Sequence, residues 1–204
     1  MSPRAFTDEE RTHTRARLRA AAIEQVSSVG FRHTTVAELA RVAGISKGSF
    51  YAFYPSKEAL FVELLLEEEA TMRSEVTALA GADGPPEQVL GAILRRVLAA
   101  VTEHPLLRVL ADPEESAALF RHLPPGAVAE AKIDDDQWFR ELFGGLADRG
   151  IVARSHVPVL VALPRLLFAT ASGRRWLPDD LESTLSVVIE ALITHLSAPA
   201  SPTP

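Results

Sequence analysis

Residues 35–51 read TVAELARVAGISKGSFY, and this stretch decides the fold of the N-terminal part of the chain. Thr35 stands three residues before Glu38, a spacing at which the hydroxyl and the carboxylate can each cap a backbone amide near the other. The pattern predicts a helix over Val36–Ala43. Its apolar face is formed by Val36, Leu39, Ala40 and Ala43.

Gly44 follows this helix and can supply a tight turn into a second one. The second helix is predicted from Ser46 to about Phe53, with Phe50 facing the core and small, polar or basic groups facing outward at its first turn. Ile45 fills the corner between the two helices. A helix that enters the major groove of DNA needs such a start, because small residues permit close approach to base edges and phosphates.

The rest of the chain predicts an all-α protein, because apolar residues recur at intervals of three and four rather than two. A first helix is predicted from about Thr7 or Asp8 to Val29, where Gly30 ends it, and a long helix from Lys57 to about Ala80. Further helical segments are predicted over about 87–103, 105–110, 114–123, 127–149, 157–171 and 181–196.

Charge is distributed unevenly along the chain, whose net charge is −6. Residues 1–57 hold nine Lys or Arg against five Asp or Glu, whereas residues 58–204 hold twelve against twenty-two. This asymmetry is what a DNA-contacting head on an acidic body would show.

Several other classes of protein are disfavoured by composition. There is no cysteine, so disulfides and thiolate metal sites are excluded and a cytoplasmic protein is expected. The most apolar run, 157–171, is interrupted by Pro164 and Arg165 and is too short to cross a membrane. The run 134–136 of three aspartates has no histidine at ligand spacing, and the six histidines are scattered, so we expect no metal, no cofactor and no enzymatic activity.

Residues 35–51, followed by YPSKEAL at 54–60, resemble the signature of the TetR/AcrR family of transcriptional regulators. With the preceding helix the resemblance covers about residues 10–65. Phe53 stands where the family often has His or Tyr, and Tyr54 where it has Phe, so whether Phe53 or Tyr54 faces DNA is open. By position, the resemblance implies DNA contacts at Thr35, Ser46, Lys47, Gly48, Ser49, Tyr51, Phe53 and Lys57.

The resemblance implies two parts: a helix-turn-helix DNA-binding domain of three helices over 1–57 and a larger helical effector-binding and dimerisation domain over 58–198. The composition of residues 199–204, which are Ala, Pro, Ser and Thr, predicts a disordered tail. The resemblance also implies a homodimer joined through the last two helices and therefore a palindromic double-stranded operator. The last helix carries a continuous apolar stripe, for which burial inside its own subunit is the alternative. The stripe consists of Leu181, Leu185, Val188, Ile189, Leu192, Ile193 and Leu196.

In this family the middle helices enclose a small-molecule effector that releases the protein from DNA, so a ligand-responsive repressor is the favoured hypothesis. A DNA-binding regulator without an effector is the alternative, and a helical enzyme is a third, weaker one. An apolar interior would suit a hydrophobic effector. Candidate lining residues are Leu106, Val109, Leu110, Phe120, Trp138, Leu142 and Phe168.

Overall fold

The computed structural model describes residues 7–121, 127–172 and 180–197, and over these ranges the chain forms ten α-helices and no strand, which confirms the all-α prediction. A short 3-10 turn, Arg154–His156, precedes the ninth helix. The helices are α1 (Asp8–His33), α2 (Val36–Val42), α3 (Lys47–Phe50), α4 (Lys57–Gly81), α5 (Pro86–Glu103), α6 (Pro105–Ala111), α7 (Pro113–Phe120), α8 (Ala127–Asp148), α9 (Val157–Ser172) and α10 (Leu181–Leu196). The tail predicted over 199–204 lies outside the described residues.

Helix α1 begins with a complete capping box. The Glu10 amide donates to Thr7 Oγ1 at 3.2 Å, and the Thr7 amide donates to Glu10 Oε2 at 2.8 Å. Gly30 interrupts the helix with φ 81° and ψ 168°, as the sequence indicates, but one further turn continues to His33. That extra turn extends α1 beyond its predicted end at Val29.

Helices α2 and α3 differ in two details from the prediction. The Glu38 amide donates to Thr35 Oγ1 at 3.2 Å, but the Glu38 carboxylate binds the Arg41 guanidinium, so only half of the predicted capping box forms. Helix α3 ends at Phe50 rather than Phe53, and turns occupy the intervening residues.

The buried side chains form two clusters. The first gathers residues of α1, α2 and α3 around the first turns of α4, where Phe61 meets Phe31 edge to face with ring centroids 5.1 Å apart. Leu106 and Val109 of α6 and Leu119 of α7 are buried in this same cluster. The first cluster therefore continues past residue 57, and the domain division at that position stays a prediction.

The second cluster joins the later part of α4 to α5, α8, α9 and α10. On α10, Leu185, Ile189, Ile193 and Leu196 are buried within the chain itself, and α10 packs against α5. Val188, predicted as part of the same stripe, is exposed. Most of the stripe is therefore buried inside its own subunit, which was the alternative to a dimer contact.

Pro164 lies inside α9, where a proline cannot donate a backbone hydrogen bond. Across residues 7–121, 127–172 and 180–197, none of the helices combines the length and apolar character that crossing a membrane requires.

Candidate DNA-binding interface

The turn between α2 and α3 is a Schellman motif closed by Gly44. The Gly44 amide donates to the Arg41 carbonyl at 3.0 Å, and the Ile45 amide donates to the Ala40 carbonyl at 2.9 Å. Gly44 has φ +67°, a conformation that favours glycine, and the Arg17 guanidinium lies where a Cβ at this position would stand. The glycine thus fixes the angle between the two helices and leaves room for a side chain of α1.

Helix α3 begins at Ser46, whose hydroxyl caps it. The Ser49 amide donates to Ser46 Oγ at 3.0 Å, and the two serine hydroxyls lie 2.8 Å apart. Ser46 is exposed at this start, as is Thr35, which caps α2 in the same way. Both hydroxyls therefore have a structural role in the free protein.

Phe50 anchors α3, because its side chain is fully buried in the first cluster. The neighbouring Tyr51 meets it edge to face at 5.6 Å yet keeps 53% of its surface exposed. Lys47 and Gly48 are exposed as well. One turn of helix thus holds an apolar anchor on one side and presents a cation, a phenol and a bare backbone to solvent on the other.

The structure places the rings of Phe53 and Tyr54 in different surroundings. Tyr54 is buried, its hydroxyl donates to Glu63 Oε1 at 3.0 Å, and the Arg15 guanidinium lies 4.9 Å from its ring centroid. Burial, reinforced by the bond to Glu63, raises the pKa of the Tyr54 phenol. Phe53 is only half-buried, with Arg11 5.7 Å from its ring centroid. Tyr54 is therefore part of the core, whereas the Phe53 ring is partly accessible to a ligand.

Lys57 has partners inside the protein. Its ammonium donates to the carbonyls of Phe31 and Thr34, each at 2.8 Å, and lies 4.3 Å from the Phe31 ring centroid. Burial lowers the pKa of this ammonium. Lys57 thus ties α4 to the end of α1, a role that the sequence did not indicate, and a phosphate would have to compete with these carbonyls.

Part of the basic surplus of the N-terminal region is neutralised by α4. Arg15 Nη2 lies 2.5 Å from Glu63 Oε2, and Arg19 Nη1 donates to Glu63 and to Glu67 at 3.0 and 2.7 Å. Burial acts to raise the pKa of Glu63, but the hydrogen bonds from Arg15 and Tyr54 outweigh it and hold that pKa below its ordinary value. Lys47, by contrast, has no carboxylate partner within the described ranges, so its charge is available to a ligand.

The candidate effector-lining residues are distributed over the two clusters of described side chains. Leu106, Val109, Leu110 and Phe120 belong to the first cluster, whereas Trp138 and Leu142 pack against the second. Phe168 is half-buried on α9. A shallow groove of about 280 Å³ lies elsewhere, between α5 and α10, and none of these seven residues lines it. Its lining includes Arg95, Leu98, Thr102, Ser186, Ile189 and Glu190.

The aspartate run at the start of α8 is partly paired with arginines. Asp135 accepts from Arg73 Nη2 at 2.8 Å, and Asp136 pairs with Arg165, while the side chain of Asp134 lies outside the described residues. The described side chains include no group of three His, Asp or Glu placed to hold a metal ion.

A glycine-closed pair of short helices, held by a buried aromatic residue against a supporting first helix, defines a helix-turn-helix protein with a helical C-terminal part. Residues 18–64 match the family model of bacterial regulatory proteins, tetR family, which spans this pair of helices and the helix before it. This match covers Leu18 to Leu64, which is the span of the first cluster up to its α4 residues.

Similar proteins agree with this assignment. The chain is 34% identical over 88 residues to an uncharacterized HTH-type transcriptional regulator, YdgC, of Bacillus subtilis, a match that covers 43% of this chain and 44% of YdgC. The chain thus spans less than half the length of that curated relative. Among solved structures, Thermus thermophilus FadR, a TetR family repressor in complex with lauroyl-CoA, is 26% identical with a TM-score of 0.51, covering 93% of this chain and 98% of that one. RolR in complex with resorcinol has the same fold, at 19% identity and a TM-score of 0.55, over 97% and 99% of the two chains.

Proposed function

We propose that this protein is a transcriptional regulator that binds double-stranded DNA through α3 and the start of α2. The observation that carries the proposal is the arrangement of α3, where Lys47 and Tyr51 face solvent beside the fully buried Phe50. A rigid anchor keeps the exposed groups in place before DNA arrives, so little ordering has to occur on binding.

Each exposed group at this surface suits a different part of the duplex. Among the residues that the structure describes, the Lys47 ammonium has no carboxylate partner, and it would neutralise a phosphate. The hydroxyls of Ser49 and Tyr51 can donate to phosphate oxygens or base edges, and Gly48 lets the backbone approach closely. Thr35 and Ser46 would contact the backbone from the exposed starts of the two helices. Phe53 is the remaining candidate.

We further propose that two copies pair through α9 and α10. Each of these helices carries large apolar side chains that the subunit itself leaves exposed: Val159 and Leu166 on α9, Val187 and Val188 on α10. Leu166 and Val187 are 62% and 71% exposed, and a second copy would remove them from water. Two-fold symmetry would then place the two α3 helices about 34 Å apart and select a palindromic operator.

The proposal includes a small-molecule effector, without specifying the residues that bind it. The similar structures hold lauroyl-CoA and resorcinol, and a small, largely apolar molecule among the C-terminal helices would release this protein from DNA if it bound the DNA-incompetent form better. The residues expected to line its site are divided between the two clusters, and a regulator without an effector stays the alternative.

The DNA proposal is tested with the full chain. Duplexes that bind the protein are selected from a random library, and affinity for the best one is measured by fluorescence anisotropy at several salt concentrations. Lys47→Ala is expected to make the slope of log K against log salt shallower by about 0.9 for each protomer, because one phosphate contact is lost.

Arg140→Ala is the matched control, since Arg140 is an exposed cation on α8. Tyr51→Ala should weaken binding about tenfold, or roughly 1.4 kcal/mol, without unfolding the protein. Selection that enriches no duplex, or Lys47 and Tyr51 variants that bind like wild type, would contradict the proposal.

The effector is tested by screening hydrophobic small molecules against the complex of protein and selected duplex. Release of DNA together with a raised melting temperature of the free protein supports a ligand-responsive regulator. A screen in which no compound does both, with DNA binding intact, supports the regulator without an effector.

A further inference from the structure

The last turn of α1 is separated from the rest of the helix by the break at Gly30, so its amides lose their usual partners one turn earlier. The Arg32 amide finds another acceptor. It donates at 3.0 Å to Oε2 of Glu115, a residue of α7 that lies 83 positions later in the chain. A carboxylate from α7 thus caps the broken end of α1.

The carboxylate lies directly against the glycine of the break. A Cβ at Gly30 would stand 3.3 and 3.4 Å from the two Glu115 carboxylate oxygens, closer than ordinary contact. The Gly30 carbonyl is taken by Thr34, whose hydroxyl donates to it at 2.8 Å. Glycine at this position therefore serves both the positive φ and the seat of the Glu115 carboxylate.

The same turn is also bound by Lys57. The Lys57 ammonium binds the carbonyls of Phe31 and Thr34, while the Glu115 carboxylate binds an amide of the turn. The turn is thus bound both by a cation of α4 and by an anion of α7. It leads directly into Thr35, the cap of α2, so its position sets where the helix-turn-helix pair begins.

Helix α7 is itself well anchored. Asp112 Oδ1 caps its first turn by accepting from the amides of Glu114 and Glu115 at 2.8 and 3.0 Å. The preceding helix, α6, packs against α1 as well as against α5 and α9 of the second cluster. A shift among the C-terminal helices would therefore reach Glu115 through α6 without passing along α4.

We propose that Glu115 is a positioning residue for DNA recognition: its carboxylate, seated on Gly30 and bonded to the Arg32 amide, fixes the connection from α1 to α2 and links it to α6 and α7. This inference rests on the proposed DNA-binding function. It adds to that function a connection, besides α4, between the C-terminal helices and the pair α2 and α3.

The sign of the expected effect separates positioning from simple electrostatics. Removing an acidic group near a DNA-binding surface strengthens binding if charge alone matters, because repulsion of phosphates is relieved. Loss of a positioning contact weakens binding. Glu114 provides the matched control, because it neighbours Glu115 on α7 but its exposed carboxylate binds the side chain of Arg32 rather than its backbone amide.

The test measures affinity for the duplex selected by the wild-type protein, at one salt concentration. Glu115→Ala is expected to bind about tenfold more weakly, Glu115→Gln to stay within about threefold of wild type because its amide oxygen can still accept the Arg32 amide, and Glu114→Ala to bind equally or more tightly. If Glu115→Ala does not fold, Glu115→Asp replaces it, since it keeps the charge and shortens the reach. Unchanged or tighter binding by the Ala or Asp variant would overturn the inference, as would an equal loss in Glu114→Ala.

A second measurement needs no DNA. Backbone amide NMR of the full chain should show shifts at Arg32 and through α2 and α3 in Glu115→Ala, and none in α2 and α3 in Glu114→Ala. If α2 and α3 do not respond, Glu115 does not position the head, whatever the outcome of the duplex selection. If α2 and α3 respond but no duplex is ever enriched, the positioning role of Glu115 holds and it is the proposed function that fails.

Discussion

Gly44 and Gly150 offer a comparison of two glycines that close helices in the same way. Each has positive φ, +67° and +72°, and each Schellman turn has the same pair of hydrogen bonds. At Gly150 an added methyl group would meet nothing within 4 Å, whereas at Gly44 it would overlap the Arg17 guanidinium. Replacing each glycine with alanine therefore separates backbone strain from the contact with α1.

The magnitudes follow from these two differences. An L-residue in the left-handed region costs about 1 to 2 kcal/mol, which both variants should lose. Gly44→Ala must also move the Arg17 side chain. Because Arg17 is exposed, this movement should cost only about 0.5 to 1.5 kcal/mol more, which is the cost of an unfavourable rotamer. We expect Gly44→Ala to be the more destabilised variant by about 1 kcal/mol.

The assay is urea unfolding followed by circular dichroism. Arg17→Ala supplies the background in which the contact is gone, so Gly44→Ala measured there should cost the same as Gly150→Ala in the wild-type chain. Equal losses for the two glycines in the wild-type background would refute the reasoning. So would a difference that persists after Arg17 is removed.

Three further outcomes are expected, each measured by urea unfolding. Tyr54→Ala should lose about 3 to 5 kcal/mol and Phe53→Ala clearly less, because only Tyr54 is fully packed; equal losses would mean that the rings are placed otherwise. Glu63 has a lowered pKa in the folded state, so its stabilising contribution is present above the ordinary value of 4.5 and is lost as the pH falls through the folded value; Glu63→Gln should therefore flatten the acid side of the stability profile, and an unchanged profile would argue against these contacts. Lys57→Met should cost about 1 to 3 kcal/mol by leaving backbone carbonyls without a donor, whereas Arg95→Ala, which breaks an exposed ion pair, should cost under about 1 kcal/mol; similar values for both would contradict the structural role of Lys57.

Much of the N-terminal architecture could be predicted from residues 35–51 alone. The cap at Thr35, the glycine turn and the apolar spacing that buries Phe50 all act between residues a few positions apart, so their physics is present in the local sequence. The sequence predicts the break at Gly30 for the same reason. The exposed start of α3 then follows, because burying one side of a single helical turn leaves the other side in water.

What only the tertiary structure decided are the contacts between distant positions. Lys57 binds carbonyls at the end of α1, Glu115 caps that end from α7, and Glu63 accepts a hydrogen bond from the buried Tyr54. Most of the stripe on α10 likewise packs inside the subunit, where α10 contacts α5, although Val188 is exposed. The sequence shows which face of a helix is apolar and which residues are charged. It does not show which residue each of them contacts, because that depends on how helices tens of residues apart pack in the complete fold.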